Sequence, residues 1–270
     1  MKNIIKFIPY LIFPLVIQAQ ADELIRLETR TGVTQPVLLW EEKSDAPEFL
    51  IVFFPSGNGN VGFVEHNGKI DGKFHFLEKQ RELFVSQRFA VAIIDTPSDR
   101  KGLGESFRQS EEHYTDVKQV ISKLKQRFPK SKLVLMGHSR GSVSAGYVSR
   151  ALASEVDATV LLSARYKIAE RPADAPQEAP GGSGLSDLDF NELRNPLLLI
   201  HHVNDGCPST LYVDAKERAQ STPLVTIDGI ADEVPAKPGE FALCSPGTNH
   251  WFTGQEKIVG EKIIEWLNKM

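Results

Sequence analysis

Only two of the 270 residues are cysteines, three are tryptophans and three are methionines, and neither sign of charge dominates. Two cysteines cannot build a disulfide-rich framework or a four-cysteine zinc site. Thirty-one Lys and Arg against 35 Asp and Glu leave a formal net charge of −4, the wrong sign for a surface built to hold nucleic acid or an anionic membrane. Beyond the amino-terminal segment no apolar run approaches the ~18 residues of a spanning helix. Repeats and heptads are absent as well.

What is present begins with Met1-Lys2-Asn3, Lys6, an apolar block from Phe7 to Ile17, and Gln18-Ala19-Gln20-Ala21. A charged start, a short apolar core and an A-x-A ending read as a secretory signal peptide, residues 1–21, cleaved after Ala21. The block is too short to stay behind as an anchor, and no cysteine stands at the cleavage point to carry a lipid. Cleavage removes Lys2 and Lys6 and no acid, taking the charge from −4 to −6. The remaining 22–270 are enough for one domain with a single large core. The expectation is a secreted or periplasmic protein with no stable membrane association and no nucleic-acid partner. In that compartment Cys207 and Cys244 are expected to pair, closing a loop worth about 4 kcal/mol on the chain-entropy view.

Six short apolar runs recur along the chain: 49–54, 89–94, 132–136, 158–162, 196–200 and 223–227. Apolar on both faces, they read as buried parallel strands. Helical patterns fall between them at 76–86, 111–128, 142–152 and 211–220, with a last amphipathic helix at about 254–268. Strands alternating with helices specify an α/β fold, a mostly parallel central sheet with helices on both faces. The alternating stretches 24–28 and 37–42 add an antiparallel hairpin at the sheet edge. Segment 165–195, rich in Pro, Ala, Gly and Asp, breaks the rhythm and is expected to form a small polar cap or loop.

Gly137-His138-Ser139-Arg140-Gly141 lies between the run 132–136 and the small residues that open the next helix. A G-x-S-x-G at a strand-to-helix turn holds the serine at the apex of a strained bend, where any flanking side chain would collide with strand or helix. The first N–H groups of the helix then face the point where a negative oxygen would form. A serine hydroxyl needs a base, and the base needs a group to orient it. Asp205 follows the run 196–200, and His250 follows the last strand. Loops after parallel strands gather at the carboxyl edge of the sheet, so both converge on Ser139.

With its glycine-flanked serine and the order Ser139, Asp205, His250, the chain resembles the α/β-hydrolase superfamily over roughly residues 46–268. The resemblance implies an α/β-hydrolase fold, Ser139 as nucleophile, His250 as general base and then acid, and Asp205 as the acid that fixes the imidazole tautomer. Pro55-Ser56-Gly57-Asn58 is similar to the family's oxyanion turn, which implies backbone donors at Asn58 and Arg140. Ser56 stands where a histidine is frequent. The stretch 95–106 is similar to the family's glycine-rich loop. Cys207 and Cys244 flank Asp205 and His250 closely, so a bond between them would tie the acid loop to the histidine loop.

The same residues have plainer uses. Ser139 could cap a helix, Asp205 could make an Asx turn with Asp228 or Asp232 as the acid instead, and His250 could be a surface histidine beside Trp251. His138 is expected to pack beside the turn. His201 and His202 near an aspartate suggest a metal, but neighbours on a strand face opposite ways, so no metal site is expected. Gly57-Asn58-Gly59-Asn60-Val61-Gly62 matches G-x-G-x-x-G formally, yet no helix of small residues follows and no acid ends a second strand, so no nicotinamide cofactor is expected. The reading is a serine hydrolase that uses no cofactor and cleaves an ester-type bond of a small or polar substrate through an acyl-enzyme on Ser139. A peptidase on short peptides, or a non-catalytic binding protein on the same scaffold, are the alternatives.

Overall fold

The computed structural model describes residues 21–41, 46–67, 69–73, 75–85, 89–167, 183–229 and 242–270. The segment read as a signal peptide lies outside these residues, save Ala21, and so does Asp232. In chain order the elements are β1 (Ala21–Arg30), β2 (Val33–Glu41), β3 (Phe49–Phe54), β4 (Val64–His66), β5 (Lys69–Asp71), α1 (His75–Glu78), α2 (Arg81–Phe84), β6 (Phe89–Ile94), α3 (Glu105–Arg108), α4 (Glu111–Arg127), β7 (Lys132–His138), α5 (Gly141–Ala151), β8 (Ala158–Leu162), β9 (Leu197–His202), α6 (Tyr212–Ala219), β10 (Leu224–Ile227) and α7 (Glu256–Leu267).

Among the described residues eight strands form one sheet in the order β1-β2-β6-β3-β7-β8-β9-β10. The hairpin β1–β2 is antiparallel and joins β6 antiparallel; every pairing from β6 through β10 is parallel. Strands β3, β6, β8 and β9 are buried at every position, which is why their sequences do not alternate. Successive residues feed opposite layers. Leu50, Val52 and Phe54 pack with Val117, Ile121 and Leu124 of α4, Val143 and Val148 of α5 and Ala215 of α6. Phe49, Ile51 and Phe53 pack with Phe76, Phe84 and with Val259, Ile263 and Leu267 of α7. The flanks of the 165–195 excursion close onto the first layer through Tyr166, Leu185 and Leu188; its centre, 168–182, lies outside the described residues.

Two local features differ from the sequence reading. The helix expected over 76–86 is two short ones. The Gln80 side-chain amide donates to Phe76 O (3.1 Å), the carbonyl that a continuous helix would give to the Gln80 N–H. That N–H turns instead to Leu77 O (2.9 Å) and the helix restarts. The second is the antiparallel pair β4–β5, standing where a dinucleotide site would place a helix. The N–H groups of the preceding glycine loop are already used: Asp95 accepts from Val61 (2.7 Å), Gly62 (2.9 Å) and Phe63 (3.3 Å).

Two buried histidines make the fold sensitive to acid. His113, wedged between Phe54 and Phe107, is pulled down to about 3 by burial, with the Arg108 and Arg100 charges adding to it. Burial, then the neighbouring His250, brings His138 to about 3 as well. Both folded values lie below the ordinary 6.5, so the unfolded chain binds the extra protons and stability, full above pH 6.5, is lost as pH falls toward 3. We expect about 1.4 kcal/mol per pH unit for each histidine between pH 6 and 4. Thermal unfolding measured across that range checks this; a flat Tm would refute it.

Candidate active site

The turn after β7 is built by exclusion. A Cβ on Gly137 would lie 2.3 Å from Gly141 O, and one on Gly141 would lie 2.0 Å from Phe54 O. Strand, turn and helix touch backbone to backbone, and only glycine fits at either place. Between them Ser139 takes a φ of 53°, a left-handed conformation that costs an L residue roughly 1–3 kcal/mol. Its surroundings hold it there. The Ser139 N–H donates to Leu162 O (2.9 Å), and its carbonyl accepts from the N–H (3.0 Å) and the hydroxyl (2.5 Å) of Ser142. The apex therefore carries a serine in a strained bend, with α5 starting beneath it.

Two backbone donors near this turn are unspent. Among the described residues neither the Arg140 N–H, at the start of α5, nor the Asn58 N–H, in the turn after β3, donates a hydrogen bond. The turn after β3 is shaped by Gly57 at φ 60° and Gly59 at φ 74°. It is pinned by Leu103 N–H to Asn58 O (2.6 Å) and by Arg108 Nη2 to Gly57 O (3.2 Å).

Asp205 and His250 meet although 45 residues separate them: His250 Nδ1 donates to Asp205 Oδ2 at 2.9 Å. The same oxygen accepts from the Thr210 hydroxyl at 3.0 Å and lies 3.2 Å from His201 Nε2. The other oxygen accepts from the Cys207 N–H at 2.9 Å. Asp205 thus makes its Asx turn with one oxygen and orients the histidine with the other. Burial works to raise this carboxyl, but the His250 charge and the hydrogen bonds of His201 and His250 outweigh it and hold Asp205 well below the usual carboxylate range. With Nδ1 committed as donor, His250 presents Nε2 as a lone pair, and that atom is buried without a hydrogen-bond partner among the described residues. Asp228 instead accepts from the N–H of Gly229.

Residues to which the sequence reading gave no part in the triad complete the arrangement. Thr210 Oγ1 sits 3.0 Å from both Asp205 Oδ2 and His250 Nδ1, and His201 Nε2 lies 2.5 Å from Thr210 O. His138 stacks on Phe76 (ring centroids 5.6 Å apart) and lies 5.1 Å from the His250 ring. Its Nε2 donates to His250 O at 2.9 Å, so the residue before Ser139 carries the backbone of the residue that would serve as its base. His201 and His202 are both fully buried. Among the described residues no group of three or more His, Cys, Asp or Glu is placed to hold a metal ion.

Cys207 and Cys244 are bonded, and Trp251 Nε1 donates to Cys244 O at 3.0 Å. The bridge joins the turn of Asp205 to the turn that leads into His250. Reduction is therefore expected to lower turnover several-fold more than it disturbs the sheet. Turnover and Tm measured with and without reductant check this; equal values of both would contradict it.

No curated protein matches the chain. Solved structures share its fold at low identity. Est1E from Butyrivibrio proteoclasticus is 14% identical with a TM-score of 0.60, covering 91% of this chain and 98% of its own. The esterase Pf2001 of Pyrococcus furiosus is 14% identical at 0.58, covering 90% and 91%. The carboxylesterase CesB of Bacillus subtilis is 11% identical at 0.58, covering 94% of each chain. The family described as "Serine aminopeptidase, S33" matches residues 62–206, a span that holds the serine turn and Asp205 and stops short of His250. As that match takes in more than half of the sequence, the chain belongs to this family of α/β hydrolases and is a serine hydrolase.

Proposed function

We propose that Ser139, His250 and Asp205 form a catalytic triad that cleaves an ester-type bond of a small or polar substrate. The observation that carries this is the Asp205–His250 hydrogen bond, which leaves Nε2 as an unpartnered acceptor. In the forward step Ser139 Oγ adds to the substrate carbonyl while Nε2 takes its proton. The carbonyl oxygen becomes an oxyanion, stabilised by the N–H groups of Arg140 and Asn58. Collapse expels the leaving alcohol, protonated by His250, and leaves an acyl-Ser139 ester. Water, deprotonated by His250, then releases the acid and restores the serine.

Esterase names among the structures of similar fold favour an ester, whereas the family's description favours an aminopeptidase. Turnover of short-chain 4-nitrophenyl esters together with inertness toward aminoacyl 4-nitroanilides supports the esterase; the reverse pattern overturns it. The disulfide, of a kind that persists in oxidising compartments, supports export, and we propose a secreted or periplasmic location after loss of residues 1–21. Sequencing the amino terminus of the protein from its native host tests this, with a mature chain starting at Asp22 as the expected result.

A further inference from the structure

Three arginines and one acid crowd beside Ser139, and they do not balance. Glu105 opens α3 and is almost fully buried. Its Oε1 lies 2.7 Å from Arg165 Nε and 3.7 Å from Arg140 Nε. Its Oε2 accepts from the Gly184 N–H at 3.1 Å. Arg108, at the end of the same short helix, is fully buried, and among the described residues its hydrogen bonds go to neutral acceptors, Ser144 Oγ at 2.8 Å and Gly57 O at 3.2 Å. Burial, with the Arg140 charge adding to it, brings Arg108 down to about 9, so it remains a cation at neutral pH. Arg30, by contrast, lies between Asp99 and Asp116.

The two arginines facing Glu105 approach it through Nε. Their terminal Nη groups, on side chains 29% and 15% exposed for Arg140 and Arg165, make no hydrogen bond among the described residues. Arg140 immediately follows Ser139, and the Arg165 N–H donates to Ser142 Oγ at 3.0 Å, the hydroxyl that supports the serine turn. The unspent donors thus adjoin the reacting serine in an otherwise acidic protein. Planar guanidinium groups pair best with carboxylate-type anions, two N–H donors to two oxygens.

Resting on the triad reading above, we propose that the substrate carries a carboxylate and that Arg140 and Arg165 hold it beside Ser139. Arg108, buried behind them, adds positive potential and positions the Gly57–Asn58 turn. The carboxylate can sit on the acyl part, as in a monoester of a dicarboxylic acid, or on the leaving part.

Two matched pairs of esters separate these. Mono-4-nitrophenyl adipate against 4-nitrophenyl hexanoate places the charge on the acyl side. 3-Acetoxybenzoate against 3-acetoxybenzamide places it on the leaving side. We expect a kcat/KM preference of at least tenfold for the anionic member of one pair, weakening with added salt. That ratio should fall at least tenfold in Arg165→Gln and in Arg140→Gln, and be partly kept in Arg165→Lys. Should the variants fail to fold, competitive inhibition of neutral-ester turnover by free adipate in the unaltered protein decides in their place. Neutral esters preferred in both pairs, a ratio untouched by either substitution, or no inhibition by adipate where that measurement stands in, would overturn the inference while leaving the hydrolase intact. Failure to turn over any of the four esters, with no labelling of Ser139 by a fluorophosphonate, would overturn the triad reading and this inference with it.

Discussion

Replacing Ser139 by alanine is expected to lower kcat/KM on an ester substrate by on the order of 10⁵-fold while the protein stays folded. The size follows from the proposed chemistry: with the proposed nucleophile gone, only the proposed oxyanion donors and substrate binding would remain, and these give a small part of the acceleration. The retained fold follows from the structure. The Ser139 hydroxyl makes no hydrogen bond among the described residues, and the bend at φ 53° is imposed by the contacts of Gly137 and Gly141. Alanine meets the same backbone strain as serine, so Tm should move by no more than a few degrees. Parallel kinetics and thermal unfolding of Ser139→Ala check both halves. A loss of less than tenfold would place the nucleophile elsewhere.

The second largest effect is expected from Asp205→Asn, a loss of about 10³–10⁴ in kcat. The carboxylate keeps the proton of His250 on Nδ1; an amide can donate to that nitrogen instead, which moves the imidazole proton to Nε2 and removes the lone pair. Because one Asp205 oxygen serves His250, Thr210 and His201 together, stability should drop too, and the sign with pH is defined. The folded carboxyl is held below the usual carboxylate range. Its contribution is therefore complete above the unfolded value of about 3.9 and lost as pH falls through the folded one. The Tm gap between the unaltered protein and Asp205→Asn should be widest near neutrality and narrow below pH 4. A gap that widens with acid would contradict this account of the charge.

Much of the fold is legible in the sequence because the central strands are buried on both faces: 49–54, 89–94 and 158–162 are read at the residues where β3, β6 and β8 lie. The pair β4–β5 is not, since three-residue strands that are mostly exposed to solvent leave no periodic signal. Its one cue is Asn67-Gly68, a dipeptide suited to tight hairpins. The break at Gln80 depends on where one side-chain amide turns, which no window of residues reveals. At the site, the glycine spacing around Ser139 and the positions of Asp205 and His250 after strands are enough to bring those residues forward. The supporting roles of Thr210 and His201 are not, because a threonine in a turn and a histidine near the end of a strand carry no spacing that points to them. The arginine group lies further out of reach. Glu105 and Arg108 come from α3 in the connection after β6, Arg140 from the turn after β7 and Arg165 from the loop after β8; the strand order β6-β3-β7-β8 brings them together.

The claim on which the rest depends is that His250 activates Ser139. The direct test treats the disulfide-intact protein with a fluorophosphonate and locates the adduct by peptide mass spectrometry. The account predicts stoichiometric labelling of Ser139 that disappears in His250→Ala. A folded protein that takes up no label, or takes it up equally without His250, would contradict it.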